Sequence, residues 1–150
     1  MIDVLELAES LCEQLKREAQ STFPRECCGL VEGICEGSTA RATALHPMPN
    51  AATAPDRFDI DPSAHIALLR HLRGTGRQII GCYHSHPNGR PEPSTRDLAG
   101  ASEAGFLWLI AAIESPAADP RLACFVWTGT GFAPVQLVNF PLPHERGGEG

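Results

Sequence analysis

Two histidines two positions apart, then a serine and an aspartate, mark residues 81–97, GCYHSHPNGRPEPSTRD, as the stretch best equipped for chemistry. Side chains alternate across a strand, so His84 and His86 project from one face, with Ile80 and Cys82 sharing it upstream. Their Cα atoms then lie about 7 Å apart, and both imidazoles can reach one ion through bonds of about 2.0–2.1 Å. Pro87 has no N–H to donate and stops the ladder, so the chain turns through Asn88 and Gly89. Ser94 opens a helix with Asp97 in its first turn. A carboxylate there completes a His84, His86 and Asp97 set that leaves the fourth tetrahedral position to water, the composition of a catalytic rather than a structural zinc site. Ser94-Thr95-Arg96-Asp97 is equally a capping box, in which serine caps the helix and the acid reaches back. The two readings coexist at Ser94 and compete at Asp97, because an oxygen bound to metal is poorly placed to cap.

Such a centre needs an acid or base outside the metal set, to take a proton from water and hand it to a leaving amine. Glu26 is the favoured candidate. It sits where the chain passes from the Pro24 turn into a strand, and the apolar neighbours in CCGLV raise a carboxyl pKa. A salt-bridged loop glutamate is the plainer reading. Glu92, inside loop 87–93, is the rival, and its flanking prolines give it an exposed rim position.

The elements that carry these residues follow from periodicity and punctuation. Val4, Leu7, Ala8, Leu11, Leu15 and Ala19 recur at helical spacing, which predicts one amphipathic helix over residues 3–20, ended before Pro24. CCGLVEGICEG and TARATALHP read as a hairpin turning near Gly37. A short strand is expected around Arg57 to Ile60. A second helix follows, with Asp61 as N-cap, Pro62 in the first turn and Gly74 at its end. RQIIGCYHSH is a strand, STRDLAGASEA a third helix, and residues 106–113, LACFVWT and FAPVQLVNF are three further strands. The sum is an α/β single domain over 1–140, a mixed, mostly antiparallel β-sheet flanked by helices, with 141–150 as a flexible C-terminal tail.

Residues 84–97 read His-x-His-x7-Ser-x2-Asp without a gap, and PRECCGLVEG upstream supplies Pro-x-Glu-x-Cys-Gly-Leu. Together they resemble the JAMM (MPN+) metalloprotease family, also called Mov34/MPN/PAD-1. RFDIDP and GTGFAPVQLV are similar to its short prokaryotic-type members, and the resemblance spans residues 5–138. It implies an MPN, cytidine-deaminase-like architecture with one Zn2+ per chain on His84, His86 and Asp97. It also implies Glu26 as general acid/base and Ser94 assisting by a hydrogen bond to the oxyanion or the water. The reaction implied is hydrolysis after the C-terminal Gly-Gly of a ubiquitin-like or sulfur-carrier protein, peptide or isopeptide, in some members releasing an amino acid. The extended tail would add as a strand beside the site. Tyr83 and Cys82 depart from the family's usual tryptophan and aliphatic residue, and neither carries the chemistry.

Other classes compete. A non-catalytic MPN scaffold would lack the ligands that are intact here. A thiol-based sulfur relay would use Cys28 or Cys82, but a carboxylate beside Cys28 raises its pKa, the wrong direction for a nucleophile. A zinc deaminase needs His-x-Glu and Pro-Cys-x-x-Cys, and neither occurs. The net charge of −6 without a Lys/Arg block argues against nucleic acid. The N-terminus lacks a signal-peptide pattern, and FLWLIAAI is too short to cross a bilayer, so no membrane partner and a cytoplasmic location are expected. Six cysteines without C-x-x-C read as reduced, mostly buried thiols. His65 and His71 are expected to face solvent, His46 to sit in a loop, and Trp108 and Trp127 to belong to the core. Homodimerisation is left open by the residues.

Overall fold

The computed structural model describes residues 1–54 and 58–140. Its elements run β1 (Val4–Ala8), α1 (Glu9–Thr22), β2 (Cys28–Glu36), β3 (Thr39–Met48), α2 (Pro62–Leu72), β4 (Gln78–His86), α3 (Thr95–Gly100), β5 (Leu107–Ala112), β6 (Arg121–Trp127) and β7 (Phe132–Phe140). The single helix expected over 3–20 is therefore two elements. Leu5 and Leu7 are both buried at strand spacing, and β1 pairs in parallel with β3 and along its whole length with β7. Period two wins where a strand can be sandwiched between two partners, and helix starts only at Glu9.

That insertion changes the sheet. Its order is β1-β3-β2-β4-β5-β6-β7, closed on itself through β1. The expected mix of pairings holds, with β1·β3, β1·β7 and β4·β5 parallel and the other four antiparallel. Helices flank the sheet as expected, but the sheet is closed rather than flat, which gives its strands an inner and an outer side. The inner side, lined from every strand, packs on Cys12, Leu15 and Ala19 of α1. The outer side gathers Leu30, Cys82, Trp108 and Trp127 under Leu68 and Leu72 of α2. Asp61 caps α2 by accepting from the Ser63 amide at 3.1 Å, Pro62 opens it, and Gly74 follows at φ 81°, as the sequence predicts.

Strand β4 changes face part-way. Val31 pairs with Gly81 but Glu32 with Ile79, which leaves Ile80 as the extra residue of a bulge. Ile80 therefore packs inside and Cys82 outside, so the two do not share a face as strict alternation predicts. Beyond the bulge the period is regular, and Cys82, His84 and His86 point outward.

Of the strand expected around Arg57 to Ile60, Arg57 lies outside the described residues, and Ile60 makes only an isolated bridge with Asn50. The tail expected at 141–150 also lies outside them. His46 is in β3 rather than a loop, its Nε2 2.8 Å from Glu32. All six cysteines are free, five of them buried. Among the described residues no helix is long and apolar enough to cross a membrane.

Candidate active site

His84 and His86 end β4 on the outer side, where β2 and β5 flank the strand. Their Nε2 atoms stand 2.9 Å apart. Asp97 Oδ2 lies 3.0 Å from His86 Nε2 and 3.3 Å from His84 Nε2, with Oδ1 3.2 Å from the latter. Ligand atoms of a tetrahedral zinc with bonds of about 2.0–2.1 Å are about 3.3 Å apart, so this donor set fits such an ion with little movement. Among the described residues, His84 engages other polar groups through Nε2 alone, and its Nδ1 has no hydrogen-bond partner there. His86 Nδ1 lies 2.9 Å from the Arg90 carbonyl, which calls for N–H on that atom and leaves Nε2 as the lone pair facing the centre.

All three residues are buried. Burial holds the His84 imidazole below its ordinary pKa, and hence neutral, as a ligand must be. For His86, burial works downward but is outweighed by Asp97 and the Arg90 carbonyl, and the net direction is up. Burial also opposes ionisation of Asp97, yet the two imidazoles and the Ser94 amide hold its carboxyl well below the usual range. An ion bound here would therefore compete with a proton for His86.

The helix that delivers Asp97 starts with the expected box. Ser94 Oγ accepts from the Asp97 amide at 3.1 Å, and Asp97 Oδ2 accepts from the Ser94 amide at 2.8 Å. Loop 87–93 is held from beneath, where Arg121 donates to the Gly89 carbonyl at 2.7 Å. Gly89 adopts φ 76°, and a Cβ there would meet Glu114 at 3.2 Å.

Glu26 is buried although it lies in a loop. It lines two clefts that share Glu26, Ser94 and Arg96 in their walls. One, of about 290 Å³, runs past Phe58, Ile60, Trp108, Ser94 and Asp97; the other, of about 280 Å³, past Pro24, His86, Asn88 and Ser94. Glu92 is exposed and borders neither. The Glu26 carbonyl accepts from Asn50 Nδ2 at 3.0 Å, while Asn50 Oδ1 accepts from the Ala52 and Asp59 amides. One asparagine thus ties Glu26 to the segment bearing Phe58, whose ring stacks on His84 with centroids 4.4 Å apart. Trp108 meets His84 edge-on at 5.8 Å, so it is both core and cleft wall. His65 is half-buried and lines the first cleft, contrary to the solvent-facing position expected, whereas His71 is exposed. Phe58, Asn50 and His65 were missed because an aromatic, an amide and a helical histidine far from the motif carry no spacing signal of their own.

The thiols are poorly suited to chemistry. Burial pushes Cys28 up to about 12 and Cys82 well above its ordinary value, against the thiolate a sulfur relay requires.

Residues 8–126 match the family described as prokaryotic homologs of the JAB domain. The chain belongs to that JAB family. It is a hydrolase. A desampylase of Haloferax volcanii is 34% identical over 125 residues, 83% of this chain and 85% of the relative. A probable TtuB-protein conjugate cleaving protease of Thermus thermophilus is 31% identical, over 65% of this chain and 64% of its own length. The solution structure of a Desulfitobacterium hafniense protein superposes with a TM-score of 0.83 at 25% identity, covering 94% and 97% of the two chains.

Proposed function

We propose that this JAB-family chain is a zinc-dependent peptidase or isopeptidase, acting after the C-terminal Gly-Gly of a ubiquitin-like or sulfur-carrier protein. The observation that carries the reading is the convergence of two Nε2 atoms and one carboxylate within 2.9–3.3 Å, with Asp97 lining one and His86 the other of the two clefts that Glu26 also lines. The relatives named for desampylation and for cleaving a protein conjugate support the substrate class.

In this reading His84, His86 and Asp97 would hold one zinc ion, which when bound would supply Lewis acidity and lower the pKa of a water. Glu26 receives the water's proton on its carboxylate and passes it to the departing amine. Ser94 Oγ, oriented by the Asp97 amide, donates its hydroxyl proton towards the oxygen that gains charge. Asp97 stays ionised throughout. Phe58 and Trp108 keep water from the outer flank of His84. The substrate tail lies in the clefts rather than against β4, because β2 and β5 occupy both edges of that strand. Residues 1–140 form the catalytic domain, and the enzyme works in the cytoplasm on protein partners, without nucleic acid or membrane.

The test is cleavage of Gly-Gly-ended ubiquitin-like proteins fused to a peptide or joined to a lysine side chain. Activity that is lost with chelator, restored by zinc and indifferent to alkylation supports the reading. Chelator-resistant cleavage overturns it.

A further inference from the structure

Ser85 stands between the two histidines and points the other way. It is completely buried on the inner side of the sheet, out of reach of any substrate. Its amide donates to the Cys27 carbonyl at 3.1 Å, and its Oγ accepts from the Cys27 amide at 2.8 Å. In a regular antiparallel pair both bonds run between main chains. Here a side-chain oxygen replaces one carbonyl, at the place where β2 leaves β4, whose last ladder partners are Cys28 and His84. Both backbone polar groups of Cys27 are therefore fixed to the residue bracketed by the metal-site histidines. The residue before Cys27 is Glu26.

We propose that Ser85 is a positioning residue that sets the distance between Glu26 and the histidine pair, an inference that rests on Glu26 being the proton carrier. The hydroxyl ends the ladder one residue early. It thereby lets Glu26 swing over the outer side instead of continuing along the strand, with the Asn50 bond to the Glu26 carbonyl holding the other end of the turn. The histidines themselves do not depend on it: their orientation comes from β4, the Arg90 carbonyl and the rings of Phe58 and Trp108.

The experiment compares Ser85→Ala and Ser85→Thr with the unsubstituted chain, using a Gly-Gly-ended ubiquitin-like protein fused to a peptide. Loss of the acceptor is expected to lower kcat about 10- to 100-fold, as for a misplaced catalytic group. KM and the zinc dissociation constant should hold, the Cys27 amide should exchange faster with solvent, and Thr should restore kcat. If Ser85→Ala does not fold, Ser85→Cys, with its weaker acceptor, carries the same expectation to a smaller degree. Unchanged kcat in a folded variant whose Cys27 amide is released overturns the inference, as does zinc affinity falling in step with kcat. Glu26→Gln run alongside separates the two ideas. If it keeps turnover, the proton-carrier reading has failed; if it is inactive while Ser85→Ala is not, only the positioning role has.

Discussion

Ser94 and Asp97 each accept the other's main-chain N–H, and the Asp97 oxygen that caps Ser94 is the one lying 3.0 Å from His86 Nε2. In the proposed site, capping and metal donation would thus fall to a single carboxylate oxygen. A carboxylate oxygen has lone pairs for both, and the amide that it caps also keeps it ionised.

The sharing makes Asp97→Asn selective. An amide oxygen still accepts from Ser94, so the helix start survives, while the charge a divalent ion needs is gone. His84→Ala removes a nitrogen instead. Both variants are expected to lose bound zinc when metal content is measured after desalting, and full retention in either would remove that residue from the set.

Glu26→Gln should behave in the opposite way. Turnover is expected to fall about 100- to 10,000-fold, because the proposed proton carrier is gone, while zinc stays near one equivalent. Metal loss in this variant would make Glu26 a ligand and overturn its assigned role.

Zinc should also be read as stability. At free metal about a hundred times the dissociation constant, linkage adds about 2.7 kcal/mol, which for this chain length is a rise of about 5–10 °C in Tm. Calorimetry with chelator and then with zinc checks it, and the rise should vanish in His84→Ala.

Gly29 is expected to tolerate no side chain. A Cβ there would collide with both the His46 carbonyl oxygen and the Tyr83 ring, which is itself tied to α1 through a 2.7 Å bond to Glu18. Gly29→Ala should cost about 1–3 kcal/mol in denaturant unfolding. A midpoint within error of the parent would mean that the ring moves aside.

Glu32 gives the pH dependence of the fold away from the site. It is buried; burial would raise its carboxyl, but bonds from Thr43 and His46 and the charge of Arg77 outweigh that and lower it. A depressed folded-state pKa stabilises above the ordinary value of about 4.3 and is lost as pH falls through the folded value. Glu32→Gln should therefore melt earlier than the parent at pH 7, with the gap closing as pH drops below about 4. A gap of constant size across that range would remove the charge from the explanation.

What the sequence made legible was local. The motif residues sit on the strand, turn and capped helix that their spacing implies, because Pro87, Gly89 and Ser94 act over a few residues. Only geometry joins Glu26 to them, through ladders between segments far apart in the chain. Closure was illegible for the same reason: Val4 to Ala8 fit a helical pattern as readily as a strand, and their partners in β7 lie at the opposite end. The Ile80 bulge left no mark, since Ile79 and Ile80 are interchangeable by type, and only the pairing with β2 tells which one is extra.

The first strand is held by the last. Val4 to Ala8 leave the ribosome almost a full chain length before Gln136 to Phe140, which they need as partners. During synthesis the N-terminal segment therefore waits with an unpaired edge, while the β2–β4 region that carries the histidines has its local partners early. Ring closure becomes the late step, and a chain stalled before β7 would display the other six strands with β1 ready to pair with a stranger.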